Sequence, residues 1–418
     1  MEGGGEAKSG SRRKLLRGVS TNVIILGVVS LLTDLSTEMI IPILPMFLLS
    51  VGATGLLIGV IEGAAETTAS LLKVVSGWYS DRVRRRKPFI LGGYGSSALA
   101  KPLLILAASP WHVLGIRVTE RIGKGVRSAP RDALIADSTR PESMGIAFGF
   151  HKSMDSFGAL LGVLALIAVV FAIGADLDVG LEEDDYRVVF AVAAAPALVA
   201  VLVIALFVRD VRAGEKPRRR SFVSGMKDLG RPFRLLMVVV MIFYIAEINV
   251  AFFLLKGLDE GFSDLVVILF YALFNLTFFA MPVMFGSLSD RMGRRPVIMS
   301  SFALYVVTCL IMAVAGDWWM LVLGFTMLGV YKAASEGVFK AYVVDVVPED
   351  LRGAALGAFH TGIGLVMLPG GIIAGLLYDS LGPTPMFLYG AVLALVSMGL
   401  LFALGPKDRG CPSVGGSA

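Results

Sequence analysis

Charged residues sit inside long apolar runs, and their spacing is the first clue to what this chain could do. Asp34 and Glu38 stand four residues apart, on one face of a helix, within the apolar stretch 22–49. Glu62 and Glu66 repeat that spacing, with Lys73 two turns further on. Arg117, Arg121 and Lys124 fall at i, i+4 and i+7, a single stripe that Arg127 and Arg131 continue. Glu247 lies in the run 235–255, and Lys332 and Glu336 are again four apart. A carboxylate withdrawn from water has its proton affinity raised, so it can bind and release protons near neutral pH and couple them to a change of shape. A charge at a bilayer centre costs about 2.5–3.5 kcal/mol on insertion scales, so each of these groups needs a partner or a wet cavity. Permanent pairing with a base is the alternative for every acid. For Glu62, Glu66 and the Lys332–Glu336 pair it stands level with a cavity role.

Other chemistries lack the residues they need. No G-x-x-x-x-G-K-[ST] loop is present, because Gly123-Lys124-Gly125 is not followed by Ser or Thr at the required place, so ATP-driven transport is unsupported. Neither H-E-x-x-H nor G-x-S-x-G occurs, which leaves a hydrolase without a centre and the enzyme reading without a candidate. His151, one turn from Asp155, and His360 could titrate near neutrality. They do not have metal-ligand spacing, and no metal or cofactor is implied. Cys309 and Cys411 exclude a disulfide framework. Ser11-Arg12-Arg13-Lys14 resembles a twin-arginine signal, but the apolar run behind it is too long for a signal segment.

The elements that hold these charges are membrane helices. Of 418 residues 56% are apolar and only 17% charged, against about 25% charge in an ordinary soluble chain. Mean hydropathy is +0.77. Runs of the roughly 20 apolar residues that a span requires occur near 22–49, 54–77, 88–108, 111–135, 145–173, 187–208, 235–255, 265–285, 297–315, 318–343, 354–377 and 384–404. Twelve spans form an all-α membrane protein. A six-helix bundle at 21–208 and another at 235–404 are joined by a linker at 209–234, with tails at 1–20 and 405–418. Bases cluster in the N-terminal tail, at Arg82–Lys87, in the linker with its nine Lys and Arg, and at Arg291–Arg295. The opposite side has only Arg187 and Lys256 against eleven acids. This asymmetry predicts cytoplasmic termini and a multi-pass inner (plasma) membrane protein. It assigns the basic pI of about 9.1 to topology and anionic lipid rather than to nucleic acid.

The two halves repeat. Gly77-Trp78-Tyr79-Ser80-Asp81-Arg82 recurs as Gly286-Ser287-Leu288-Ser289-Asp290-Arg291, at an offset of 209, and Glu38 matches Glu247 at the same offset. Trp111 matches Trp319, Lys124 matches Lys332 and Asp137 matches Asp345, each at 208. Duplicated bundles of this kind carry substrate near the midplane between the repeats.

On these residues the chain resembles the major facilitator superfamily over nearly everything from 22 to 404. Gly286–Arg295 matches the loop motif G-x-L-A-D-R-x-G-R-[RK] at all but one position, and Gly77–Arg86 departs at the leucine, the alanine and the second glycine. The resemblance implies that Asp81 and Asp290, with Arg82 and Arg291, help latch the cytoplasmic side. Arg84–Lys87 also fit a solvated, topology-setting loop. It implies further that helices 1, 4, 7 and 10 line the cavity, that Arg121 takes part in proton transfer, and that Glu62 and Glu66 on helix 2 gate against helix 11. Lys101-Pro102 fits a snorkelling or kink feature. Gly149, Gly158 and Gly162 fit the spacing of a family antiporter motif, with Val163 in place of its proline, and ordinary helix packing explains the same glycines.

The expectation is a secondary active transporter, a proton-coupled antiporter exporting a small organic solute such as a drug or metabolite. Asp34, Glu38, Glu247 and Arg121 would couple protons, and Arg117, Lys124, Lys332 and Glu336 would meet the solute. Import of an anionic solute by symport is the alternative within the class, and a non-transporting receptor or scaffold the alternative outside it. Protons, a small molecule and membrane lipids are the expected partners.

Overall fold

The computed structural model describes residues 20–83, 85–140, 143–174, 180–211 and 228–405. Both tails, Cys411, Arg84 and most of the expected linker lie outside the described residues. Twelve helical columns follow one another: α1 (Thr21–Ser50), α2 (Gly55–Val83), α3 (Lys87–Leu106), α4 (Pro110–Asp137), α5 (Met144–Ala172), α6 (Glu183–Phe207), α7 (Arg231–Asp259), α8 (Asp264–Ala280 and Pro282–Met292), α9 (Arg294–Val314), α10 (Trp318–Asp345), α11 (Arg352–Leu381) and α12 (Pro383–Leu404). Among the described residues, nine are long and apolar enough to cross a membrane, and α8, bent by 42°, makes a tenth. The other two are α4, with Arg117, Arg121, Lys124, Arg127 and Arg131, and α10, with Lys332, Glu336 and Lys340.

Local chemistry sets the ends. Ser109 and Asp317 accept from the backbone N–H groups of His112 and Met320 and so cap α4 and α10. Pro110, Pro282 and Pro383 stand in first turns, where a missing N–H costs nothing. Besides the bend in α8, three columns depart from regular α-helix along their length. α1 is interrupted before Pro45, α3 turns to a 3-10 segment at Lys101–Leu106, and α7 opens at Glu247–Asn249. Broken backbone is tolerated within a membrane only where protein satisfies it. Tyr305 does so for α7, its hydroxyl accepting from Ile248 N–H at 2.8 Å and donating to the Ala246 carbonyl at 3.0 Å.

The columns α1–α6 pack on one another, α7–α12 do likewise, and the halves meet through α2 against α11 and α5 against α8. The side bearing the 83–87 and 292–294 turns is called the basic-loop side; the opposite is the far side. Towards the far side α2 and α11 touch backbone to backbone. A Cβ on Gly59 would lie 2.0 Å from the Gly371 carbonyl oxygen, and one on Gly375 2.5 Å from that of Gly55. Lipid is as apolar as leucine, so such close approach, not hydrophobic force, holds membrane helices together. Two aspartates seal the same end. Asp379 of α11 accepts the Gly55 and Leu56 N–H groups at 2.7 and 2.8 Å, satisfying orphan donors at the start of α2. Asp264 of α8 accepts from Leu181 N–H and the Tyr186 hydroxyl of the first half, at 2.7 and 2.8 Å.

Leucine at Gly371 is expected to force α2 and α11 apart and lower the melting temperature in detergent, an overpacking cost of about 1–3 kcal/mol. Leucine at Gly399, which faces open space, is expected to leave the melting temperature unchanged.

Candidate functional site

The base stripe of α4 faces the acid pair of α2 rung for rung. Arg117, only 1% exposed, donates to Glu62 at 3.0 Å and to Glu120 at 2.6 Å. One turn along, Arg121 holds Glu66 at 2.9 Å. Both pairings follow from i,i+4 spacing on two adjacent columns. They place Glu62 and Glu66 on α4 of their own half rather than on α11, and they occupy Arg117 and Arg121 with α2 acids rather than those of α1. Glu120 did not figure in the sequence reading; its i,i+3 spacing from Arg117 was the available signal. Lys124, the third rung, is exposed and makes no ion pair among the described residues, lying in electrostatic reach of Asp34 and Glu66.

Glu38 and Glu247 sit at matching places, beside the breaks in α1 and α7, and each accepts from a tyrosine. For Glu38 the donor is Tyr271 of α8, at 2.7 Å, across the boundary between the halves. For Glu247 it is Tyr331 of α10, in its own half, at 2.6 Å, joined by the Lys332 ammonium at 2.5 Å. Nothing in the sequence marked either tyrosine. Lys332 thus pairs with Glu247, and Glu336 with Lys340 at 3.3 Å, so of the two alternatives the Lys332–Glu336 pairing is not made.

Lys332 and Glu336 reach water, whereas Glu247 is buried. The Lys332 and Glu336 side chains are 35% and 46% exposed, and Glu336 lies in electrostatic reach of Lys152 on α5 in the other half. A charged side chain exposed at membrane depth and facing the opposite half lines a wet cleft, not lipid. Asp34 is half-buried without a hydrogen bond or ion pair among the described residues, in electrostatic reach of Asp155 of α5 and Lys124, Arg127 and Arg131 of α4. Asp155 accepts from the Ser30 hydroxyl and lies 3.7 Å from His151. Lys73 and His360 meet across α2 and α11 at 3.5 Å. Gly158 and Gly162 serve the packing of α5 on α1: a Cβ on either would come within 2.5 Å of the Leu31 or Leu35 carbonyl oxygen. Among the described residues no cluster of His, Cys, Asp and Glu could hold a metal.

On the basic-loop side the repeat is visible in three dimensions. Arg86 binds Asp81 at 2.6 Å and lies 3.7 Å from Asp137; Arg294 binds Asp290 at 2.5 Å and Asp345 at 3.1 Å. Each set ties a motif loop to the end of α4 or α10 in its own half, and Asp81 remains 67% exposed. Arg86 is itself buried, so it is not part of a solvated loop. Arg82 stacks over Trp78, and Arg291 is exposed. The far side is sealed across the halves while these loops stay within them, so the cleft opens towards the basic loops.

Comparison with known proteins agrees with this architecture. The Major Facilitator Superfamily model matches residues 26–281 and 235–416. The MFS-type transporter MJ1317 of Methanocaldococcus jannaschii is 35% identical over 392 residues, 92% of this chain and 95% of that one. The class C tetracycline resistance protein of Escherichia coli is 34% identical over a shorter stretch of 112 residues, 27% of each chain. A crystal structure of the nucleoside transporter NupG superposes with a TM-score of 0.77 at 14% identity, covering 91% of this chain and 100% of that one. The two matched segments together span most of the chain, and this protein belongs to the major facilitator superfamily: it is a multi-pass membrane transporter.

Replacing Arg117 with Met is expected to strand Glu62 and Glu120 in a dry site. Removing one partner of a buried pair costs about 3–5 kcal/mol, and a loss of that size should appear in detergent melting curves. The triple change with Glu62→Gln and Glu120→Gln should recover most of it.

Proposed function

We propose that this chain is a proton-coupled antiporter that exports a small organic solute by alternating access, its two bundles, 21–208 and 235–404, rocking about the cleft. The observation that carries the reading is the Glu38 carboxylate, set beside the wet cleft and held by Tyr271 of the opposite half. Protonating Glu38 removes the negative charge that the tyrosine hydroxyl binds, weakening a contact that one access state makes across the boundary. Asp34, with no partner, is the first proton acceptor that cytoplasmic water meets, and Glu247 repeats the arrangement in the second half. Arg121 sets the field at Asp34 and Glu38 through its hold on Glu66. Lys124, Lys332 and Glu336 line the cleft where the solute binds, whereas Arg117 is walled off by its two acids. The basic-loop side is cytoplasmic by the positive-inside rule, which puts both termini in the cytoplasm of a cell with this protein in its inner membrane. In that orientation Asp81, Arg82, Asp290 and Arg291 meet across the halves only when the far side opens. One stretch is similar to a tetracycline resistance protein, which fits a drug as the organic solute.

Lys124, a cleft base without an acid partner, favours a second reading, symport of an anionic solute. A melting-temperature screen of the purified protein against a solute panel supplies the solute for the test. In proteoliposomes that solute is expected to drive proton movement in the opposite direction, and Asp34→Asn with Glu38→Gln to abolish it. Solute-driven proton movement that survives both substitutions refutes the assignment, and solute moving with the proton gradient selects symport.

A further inference from the structure

The start of α2 is completed by the other half of the molecule. A helix leaves its first N–H groups without partners in its own backbone. At α2 these belong to Gly55, Leu56 and Leu57, and Ile58 makes the first bond back along the chain, to the Thr54 carbonyl at 3.0 Å. Leu57 is satisfied locally, by the Thr54 hydroxyl at 3.3 Å. Gly55 and Leu56 find their acceptors on α11, Gly55 donating to Oδ1 of Asp379 at 2.7 Å and Leu56 to Oδ2 at 2.8 Å. The preceding residue grips the same spot. The Tyr378 ring covers Gly55, where a Cβ would come 2.5 Å from Cδ1, and its hydroxyl donates to Asp259 at the end of α7 at 2.7 Å. Asp379 makes no ion pair among the described residues. Its charge is balanced instead by the positive end of the α2 dipole, roughly half an elementary charge.

We infer that Asp379 is a gating residue of the transport cycle: a helix cap supplied across the boundary, which latches the far side shut and holds the cleft open towards the basic loops. This goes beyond the proton chemistry proposed above and rests on the rocking of the two bundles alone. The closed contact is strong, because an ionised acceptor makes shorter and stronger hydrogen bonds than a neutral one. It also breaks without stranding a polar group. Asp379 is exposed, and both N–H groups stand at the very end of their helix, so water replaces each partner as the halves part. The two bonds join columns of opposite halves, so a movement that separates α2 from α11 removes both together. The repeat supplies a second contact of this kind. At the half-chain offset of 209, Gly55 corresponds to Asp264, the carboxylate that joins the start of α8 to Leu181 and Tyr186 of the first half.

The test is a pair of distances read by electron paramagnetic resonance on the full-length protein in lipid nanodiscs. Cys309→Ala and Cys411→Ser give a cysteine-free background. Nitroxides on Ala108→Cys and Gly316→Cys report the far side, and on Arg140→Cys and Glu349→Cys the basic-loop side. All four positions are exposed, and each pair has one member in either half. Asp379→Asn keeps the shape and removes the charge. It is expected to raise the ratio of far-side-open to far-side-closed molecules about tenfold, and Asp264→Asn added to it by about tenfold again. The far-side distance should lengthen as the basic-loop distance shortens, a paired change that local loosening does not produce. Gly55→Ala, whose methyl would press on Tyr378 and Asp379 from the other half, should shift both distances in the same sense. It decides alone where Asp379→Asn fails to fold. Asp379→Glu, which keeps the charge, should stay closer to wild type than Asp379→Asn. A far-side-open population that is present but ignores Asp379→Asn and Gly55→Ala overturns the latch and leaves the rocking in place. Absence of that population in every variant, the double one included, overturns both.

Discussion

Charge does not survive in hydrocarbon without compensation, and that constraint shapes this molecule. The column α4 buries Arg117, Glu120, Arg121 and Arg127 against its neighbours. Where two charged stripes meet, as α2 and α4 do, they zip into buried pairs, Arg117 with Glu62 and Glu120 and Arg121 with Glu66. Where a stripe has no facing partner, as at Lys124 and Asp34, the chain keeps the group beside water. The cleft is the consequence: it is the space in which charges left over from pairing can remain solvated.

The duplication supplies two copies of each device, and the useful differences lie where the copies diverge. The motif-loop triads Asp81–Arg86–Asp137 and Asp290–Arg294–Asp345 are the same construction in both halves. The acids beside the broken helices are not. Glu247 bonds within its own half, its Oε1 accepting from both Tyr331 and Lys332, whereas Glu38 accepts from Tyr271 of the other half. The Glu38 bond crosses the boundary between the halves and the Glu247 bonds do not, so the two equivalent carboxylates have unequal surroundings.

Closure of the far side rests on short-range forces. The glycines of α2 and α11 permit backbone contact, and Asp379 and Asp264 accept hydrogen bonds from the opposite half at its edge. None of these contacts depends on excluding water from apolar surface, which inside a bilayer would contribute little between helices. Such contacts fall off within an ångström or two, so small separations of α2 from α11 would break them.

The all-helical membrane architecture and the half-chain repeat follow from the linear order of side chains, because hydropathy and helical period are local properties. The list of acids and bases at the centre was legible for the same reason. Which acid meets which base was not. Arg117 finds Glu62 55 residues away, and Tyr271 finds Glu38 across 233. The inward turn of Lys101, which bonds Ser36 and Thr37 rather than snorkelling, the inequality of Glu38 and Glu247, and the side on which the cleft is sealed exist only once the columns are packed. Pairing depends on distances between columns, and the order of residues along one column does not encode those distances.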